Sequence, residues 1–385
     1  MKGATGSLST IFYDRFVGKT LPFLANKGWD VQYGGLFETL DRNGSSTGVK
    51  FRRVMVHARQ LFVFSRFAEL TNDESFRKNA DQIFDYMKTV FWDEENGGWL
   101  SKVNLDGSIF DDTKDLYAHA FVILGLANYR TALNKPEVQV WIDKTLTVLE
   151  NNFSRADGSY CEYMTRKFVD QSEHKRNQNP HMHLLEAALY LLDCDKESFR
   201  YLTLVKRLLH LFETKFLVND SKTVIEYLNN DFMPDVLTGF KVEPGHHYEW
   251  AWLLNWSYKL LSVDRYRLLG KTLLHGSWKS GWDVANGGVY DQIDSRNNSV
   301  LLETKRLWPL LELLKALSVF PDFDNEDKIV LVLNVLLERY IQPNGYWIER
   351  LQKNWTEPDY VMPTSSAYHI AMAILETRGF ISRSI

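Results

Sequence analysis

The chain has 385 residues, and its 45 basic and 49 acidic side chains give a formal net charge of −4. This balance argues against nucleic-acid or anionic-membrane partners, both of which call for basic patches. Hydrophobic residues make up 45% and aromatic residues 14% of the chain, which is enough apolar surface for a large buried core.

Targeting signals and cysteines indicate the compartment. Cys161 and Cys194 form no CxxC pair and no disulfide framework, which suits a reducing environment. The first residues lack the apolar segment of a signal peptide, and no run of 18 apolar residues suggests a membrane helix. We therefore expect a cytoplasmic protein, either a monomer or a homodimer.

Glycine-containing turns recur along the chain at a nearly constant interval. The first two are separated by 63 residues, and the third and fourth by 129 residues, or about two intervals. A turn without glycine is expected in that gap, near Asn219-Asp220-Ser221. Six units of about 60 residues follow, which indicates one supersecondary motif repeated around the fold. The glycines that mark the turns are Gly34, Gly97, Gly158, Gly287 and Gly345.

Each unit has the pattern of a helix, a polar turn with short strand-like flanks, and another helix. Apolar residues follow helical spacing in segments 55–71, 75–91, 115–131 and 181–193. Stretches such as 98–103 are too short for more than hairpins beside the turns. We predict one all-α domain over residues 1–385. Its six helical hairpins would close into a toroid, an (α/α)6 barrel, with short β-hairpins in the loops at one end. An open solenoid is the alternative, but its terminal repeats should be atypical.

In such a barrel, polar residues on the inner helices converge on one cavity. Arg59 lies within an apolar helix, so its charge needs a partner. That partner is either a sugar oxygen or a structural ion pair. His181 and His183 are two residues apart and point to different sides of a helix, although on a strand they could bind zinc. We assign His183, which shares a face with Asn179 and Glu186, to the cavity, and His181 to a structural role or to the support of the site. The alternative is that both histidines only satisfy local hydrogen bonds.

Two further histidines stand at predicted helix starts. A helix that begins at Gly245 places His246 in its first turn with Glu249 three residues on, so that an imidazole and a carboxylate share a face. That pair suits proton transfer near neutral pH. His369 follows a Thr-Ser-Ser cap at the start of the last helix. Two histidines and an arginine in one cavity fit aldose–ketose isomerisation or 2-epimerisation through an enediolate.

These clusters, in this order, resemble the N-acylglucosamine 2-epimerase superfamily. Segments 114–121 and 305–309 extend the resemblance, which covers the chain from Arg59 to His369. The resemblance implies an (α/α)6 barrel and a reaction that needs neither a metal nor another cofactor. It implies acid/base roles for His246 and His369, and a glutamate paired with a catalytic histidine at Glu249. It further implies catalytic roles for His183, the third histidine of the active site, and for Arg59, near the substrate oxygens. The substrate-binding residues that it implies are Asn179 and the pocket aromatics Tyr117, Trp252 and Trp308.

One departure from the family pattern bears on the substrate. Leu307 stands where the disaccharide and N-acylglucosamine epimerases have the first residue of a Trp-Trp pair, and Leu310 stands where a polar residue is usual. The missing ring favours the monosaccharide isomerases of the family, which interconvert D-mannose and D-fructose.

Three alternatives remain beside this interpretation. The first is a monosaccharide 2-epimerase acting on mannose or glucose. The second is a glycoside hydrolase, which would need two carboxylates across the cleft. The third is a non-catalytic regulator that binds sugar. The candidates for the hydrolase pair are Asp111, Asp112, Asp115 and Glu303.

Overall fold

Two concentric layers of helices build the protein. The computed structural model describes residues 2–172, 175–218, 222–320, 325–356 and 361–381. In these ranges six long helices form the inner layer, and most of their residues are buried on every side because they face both the barrel interior and the outer layer. The inner helices are α3 (Val54–Thr71), α5 (Leu116–Ala132), α7 (Gln178–Cys194), α9 (Pro244–Leu261), α11 (Leu307–Val319) and α13 (Ala367–Ile381).

The outer layer is more amphipathic, with one face on the inner helices and one on solvent. Several outer helices end in a single π-helical turn, as at Met87–Phe91 after the helix Glu74–Tyr86, before the chain turns inward. A π-helical turn at Phe16–Thr20 also joins the first two outer helices. The outer helices are α1 (Lys2–Arg15), α2 (Leu21–Lys27), α4 (Glu74–Tyr86), α6 (Gln139–Val148), α8 (Phe199–Leu211), α10 (Asp264–Gly281) and α12 (Asn325–Val335).

The inner helices form a closed ring. Each contacts the next in chain order, and α13 returns to contact α3. The predicted (α/α)6 barrel is therefore confirmed, and the open solenoid is excluded, because a solenoid leaves its first and last repeats apart. No helix in the described ranges is both long and apolar enough to cross a membrane.

Short strands close the ring a second time, at the end of the barrel where the inner helices begin. The strand before each inner helix pairs antiparallel with a strand of the following unit, and the last unit pairs with the first. The sequence predicted only hairpins within units, because a strand of two or three residues carries no information about its partner. The six pairs are Phe51–Arg53 with Lys102–Asn104, Lys114–Asp115 with Tyr163–Met164, Lys175–Asn177 with Tyr227–Asn229, Lys241–Val242 with Gln292–Asp294, Lys305–Arg306 with Arg350–Leu351, and Met362–Pro363 with Thr39–Leu40.

The recurring turns lie at this same end. Gly97 and Gly98 adopt positive φ angles of 75° and 79°, which a side chain would disfavour. The turn expected at 219–221 lies outside the described residues, but Leu217 and Val224 on either side of it pair antiparallel. The remaining strands, which complete the hairpins beside the turns, are Ile109–Asp111, Leu217–Val218, Thr223–Val224 and Val300–Leu302.

Four inner helices carry a histidine at their fourth residue that fastens a turn to the helix. In α5, Nε2 of His119 accepts a hydrogen bond from the backbone N–H of Trp99 at 3.1 Å, and Nδ1 donates to the carbonyl of Asp115 at 2.7 Å. Burial disfavours the imidazolium and lowers the pKa of His119 to about 4. These histidines are structural and neutral. The four Nε2 acceptors belong to His57, His119, His181 and His247.

Replacing one of these histidines should destabilise the fold. We expect His119→Ala to lower the free energy of unfolding by about 1–3 kcal/mol in urea denaturation at pH 7, because a buried N–H loses its acceptor. In the unfolded chain His119 is protonated below its ordinary pKa of about 6.5, whereas in the folded protein it is protonated only below a pKa of about 4. The difference from wild type should therefore shrink, by up to about 1.4 kcal/mol per pH unit, as the pH falls. An unchanged stability, or a difference that grows on acidification, would contradict this role.

Candidate active site

A cavity of about 440 Å³ opens at the strand end of the barrel. The first two turns of the inner helices and the strands before them supply its walls, so residues distant in sequence meet there. Eight of the nine residues predicted for the site line it, and they are Arg59, Tyr117, Asn179, His183, His246, Glu249, Trp308 and His369.

His246 is held by a carboxylate that the sequence analysis did not identify. Its Nδ1 lies 2.9 Å from Oε2 of Glu226, on the segment between α8 and α9. Burial disfavours the imidazolium, but the charge and hydrogen bond of Glu226, with help from Glu243 and Glu249, outweigh it and raise the pKa of His246 to about 9. At neutral pH His246 is therefore a cation. The predicted pairing of His246 with Glu249 is wrong, because Glu226 occupies Nδ1.

A small network fixes Glu226 in turn. The same Oε2 accepts a hydrogen bond from Nε2 of Gln178 at 2.8 Å, and Oε1 of Gln178 accepts from the indole of Trp250 at 2.6 Å. The available signal in the sequence was a lone carboxylate in the apolar run Val224–Leu228, since a buried charge needs a partner.

His369 differs from His246 in that its surroundings favour the neutral imidazole. Its Nδ1 lies 2.8 Å from Oε1 of Glu312, and Oε2 of Glu312 lies 2.7 Å from Nζ of Lys315. Burial alone would raise the pKa of Glu312, but Lys315 and His369 lower it to about 2. For His369 burial prevails over the hydrogen bond to Glu312, and its pKa falls below the ordinary value. His369 is thus neutral, with its proton on Nδ1.

Trp308 lies beside both imidazoles. Its ring centroid is 5.0 Å from that of His246 and 5.9 Å from that of His369. The described residues provide no protein partner for Nε2 of either histidine, and both nitrogens belong to residues that line the cavity. A protonated and a neutral imidazole therefore serve one cavity beside a shared aromatic wall.

His183 lies deeper in the site, among carboxylates. Its Nδ1 is 3.0 Å from Oε2 of Glu186 and 3.6 Å from Oε1 of Glu249. Burial lowers the pKa of His183 to about 4 despite Glu186. Burial, together with the charges of Glu312 and Glu186, raises the pKa of Glu249 well above its ordinary value.

Arg59 has no carboxylate partner in the described part of the chain. It donates a hydrogen bond to the hydroxyl of Tyr117 at 2.7 Å, and its guanidinium lies 4.0 Å from the ring centroid of Phe121. The sequence left open a structural ion pair or a donor to substrate, and the observed contacts favour the donor. Oδ1 of Asn179, at the same wall, is buried and has no hydrogen-bond partner among the residues that the structure describes.

The prediction that Trp252 lines this site is wrong. Trp252 is six residues after His246 on α9, about 9 Å further along the helix axis. It lines a second cavity of about 420 Å³ at the far ends of the inner helices and donates from Nε1 to Glu376 at 2.8 Å. Periodicity placed it on an inner helix but did not show how deep the cavity extends.

Three of the four carboxylates considered for a hydrolase have partners outside this cavity. Asp111 pairs with Lys102, and the exposed Glu303 pairs with Lys353. Asp115 caps the first turn of α5 by accepting from the N–H of Ala118. None of the hydrolase candidates is among the residues that line the cavity between the two histidines.

The described residues contain one cluster of side chains that could bind a metal ion, but these side chains already interact with other protein groups. Ligand atoms of His183, Glu186 and Glu249 lie within 4.8 Å of one another. Glu186 already accepts hydrogen bonds from His183 and Tyr368. The buried cation of Lys315 also acts on both carboxylates. These residues fit a proton-bearing network better than a metal centre.

Further residues of the wall escaped the sequence analysis. Arg306 bridges Glu243 at 2.8 Å and Asp291 at 2.9 Å. Glu349 accepts a hydrogen bond from Ser366 at 2.7 Å, and burial raises the pKa of Glu349 to about 7. Each lies on or beside a short strand, where helical periodicity offers no guide.

Comparison with curated proteins finds relatives over most of the chain. A mannose-6-phosphate isomerase of Rhizobium meliloti is 28% identical, over 94% of this chain and 95% of the relative. A D-mannose isomerase of Marinomonas mediterranea is 27% identical, over 73% of each chain.

Solved structures agree on the architecture. A crystal structure of D-mannose isomerase superposes with a TM-score of 0.87 at 24% identity, covering 96% of this chain and 97% of the other. Cellobiose 2-epimerase from Bacillus thermoamylovorans gives the same TM-score at 20% identity, covering 98% and 99%. The family model of N-acylglucosamine 2-epimerase matches residues 34–373. This chain therefore belongs to the N-acylglucosamine 2-epimerase family of sugar isomerases and epimerases.

Proposed function

We propose that this protein is an aldose–ketose isomerase that interconverts D-mannose and D-fructose, with the whole barrel as one catalytic domain. The observation that carries the proposal is the pair of imidazoles on one cavity, with the pKa of His246 raised to about 9 and that of His369 lowered. A reaction that needs a base and an acid at neutral pH finds both in place.

The two imidazoles divide the proton transfers. In open-chain mannose, Nε2 of His369 removes the proton from C2, and the electron pair forms the C1=C2 bond while O1 takes the charge. His246 protonates O1 to give the enediol. His246 then accepts the O2 proton as the C2 carbonyl forms, and His369 returns a proton to C1. Both histidines end in their starting states. In a 2-epimerase, a proton would instead return to C2 from the opposite face.

Arg59 stabilises the enediolate in this scheme. Its contacts are a tyrosine hydroxyl and aromatic rings, so its charge is not neutralised by a carboxylate within the described residues. A cation held in a water-poor site is worth most where negative charge develops in the reaction. Asn179, with its unpartnered Oδ1, supplies an acceptor for a sugar hydroxyl.

The shape of the wall supports a monosaccharide. Leu307 and Leu310, which stand where a second ring and a polar group occur in the disaccharide epimerases, are 0% and 1% exposed and belong to the core. Trp308 alone of the stacking pair reaches the cavity.

Charge supports an unphosphorylated sugar. Four glutamates line the cavity, and one of its three arginines, Arg306, is neutralised by two carboxylates. Arg59 is assigned to the enediolate in this scheme and Arg350 is exposed, so a phosphate group would meet mainly the carboxyl groups of the wall. We therefore propose free mannose, although the Rhizobium relative is named for the 6-phosphate.

Proton NMR of the purified protein with D-mannose in D2O tests the proposal. We expect fructose with deuterium at C1. Glucose as the first product, with deuterium at C2, would replace the proposal with a 2-epimerase. Parallel samples with mannose 6-phosphate and cellobiose serve as comparisons, and faster turnover of either would overturn the choice of substrate.

Removal of either histidine should abolish most of the activity. We expect His246→Ala and His369→Ala each to lower kcat by about 10²–10⁴-fold, since a positioned acid or base contributes that much. His210→Ala, at an exposed position on α8, is the matched control and should leave kcat unchanged. Near-normal turnover in either active-site variant would contradict the assignment.

Glu226 should set the alkaline limit of activity. His246 acts as an acid, so kcat/KM should fall as the pH rises through its pKa of about 9. In Glu226→Gln the carboxylate that stabilises the imidazolium is gone, and this limb should move to lower pH by about 1–3 units. Glu303→Gln, which changes an exposed ion pair, should leave the limb in place. A limb that stays near pH 9 in Glu226→Gln would argue against His246 as the acid.

A further inference from the structure

A buried lysine lies behind the active site without reaching it. Lys315 is on α11, one turn after Glu312, and neither side chain has any exposed surface. Its Nζ lies 2.7 Å from Oε2 of Glu312, whose Oε1 meets Nδ1 of His369 at 2.8 Å. Lys315 is not among the residues that line the cavity. Lysine, carboxylate and imidazole thus form a line that ends at the cavity.

The positive charge of Lys315 offsets the negative charge of several buried glutamates. Besides Glu312, the carboxylates of Glu186 and Glu249 act on it from α7 and α9. Burial lowers the pKa of a lysine, yet these three groups hold the pKa of Lys315 above its ordinary value. An ionised carboxylate buried without such a counter-ion would take up a proton instead.

Trp252 closes the other side of the lysine. Its ring centroid lies 3.9 Å from Nζ of Lys315, a cation–π contact, and its indole N–H is fixed by Glu376. The same ring lines the cavity at the far end of the barrel. Trp252 therefore separates the ammonium group from that second cavity and preserves the dry surroundings in which the ion pair is strong.

We infer that Lys315 is a positioning residue that selects the reactive tautomer of His369. By keeping Glu312 ionised, it makes that carboxylate a pure acceptor, so His369 must carry its proton on Nδ1 and present a bare Nε2 to the cavity. This inference rests on the proposed role of His369 as the base.

Without the lysine, the opposite tautomer becomes available. A neutral Glu312 carries a hydroxyl proton that it can donate to Nδ1, and the imidazole proton then moves to Nε2. A histidine protonated at Nε2 can no longer remove a proton from C2. Lys315 would therefore affect the chemical step while leaving substrate contacts in place.

The test compares Lys315→Met, Glu312→Gln and the double variant in kcat, KM and imidazole nitrogen NMR. In protein labelled with 15N-histidine, the His369 signals are identified by their loss in His369→Gln. We expect Lys315→Met to move the proton of His369 from Nδ1 to Nε2, and to lower kcat by about 10²-fold or more with KM little changed. In the Glu312→Gln background, Lys315→Met should cost no further activity, because no carboxylate remains to be ionised.

Lys114→Met is the matched control. Lys114 is equally buried and pairs with Asp93 at 2.9 Å, but it belongs to the turns that connect units. Its loss should lower stability and leave the His369 tautomer unchanged. The single variant Lys315→Met leaves the charge of Glu312 without a counter-ion and could fail to fold for that reason. The double variant removes both charges, so its kcat can still be compared with that of Glu312→Gln.

Two results would overturn the inference. One is an unchanged His369 tautomer in Lys315→Met. The other is a loss of kcat that is equally large when Lys315→Met is made in the Glu312→Gln variant and in the protein with its native glutamate. Equal losses would show that the lysine acts independently of the charge of Glu312, as a purely structural residue would. The tautomer is read without any substrate, so the inference can be judged even if mannose is not turned over.

Discussion

The chemistry proposed for this protein depends on how each imidazole of the candidate site meets a buried carboxylate. An imidazole in a dry site loses its charge unless an anion retains it. Glu226 retains the charge of His246, while Glu312, whose own charge is shared with Lys315, orients His369 without protonating it. Two side chains of the same type thereby acquire opposite roles. The partner of Nδ1 accounts for much of the difference, and Glu243 and Glu249 add to the stabilisation of the His246 cation.

The barrel makes these pairings possible because its ring is closed. Glu226 and His246 come from neighbouring segments, but Glu312 and His369 are 57 positions apart on adjacent inner helices. A closed ring of helices, joined again by short strands at one end, holds all six helix starts against one another. Small errors in placement would cost proton-transfer efficiency, so rigidity at this end suits the proposed reaction.

Histidine has two separate uses in this fold, and the distinction is geometric. His57, His119, His181 and His247 occupy the fourth position of their helices, and each accepts a backbone N–H from a turn. His246 precedes its structural neighbour by one residue and therefore faces the cavity. Residues adjacent on a helix point about 100° apart, so a tandem pair can divide between structure and chemistry. The same geometry separates His183 from His181, which are two residues apart on their helix.

The sequence by itself determined the repeat, the six-unit barrel, the family and eight of the residues that line the cavity, because periodicity and helix starts are local properties. Only the tertiary structure decided the partners. It paired His246 with Glu226 instead of Glu249, and it placed Trp252 at the far end of the barrel. It also showed Lys315 behind Glu312. A pattern of apolar residues states which face of a helix is buried, but the depth of a cavity and the protonation of a histidine depend on atoms contributed by other helices.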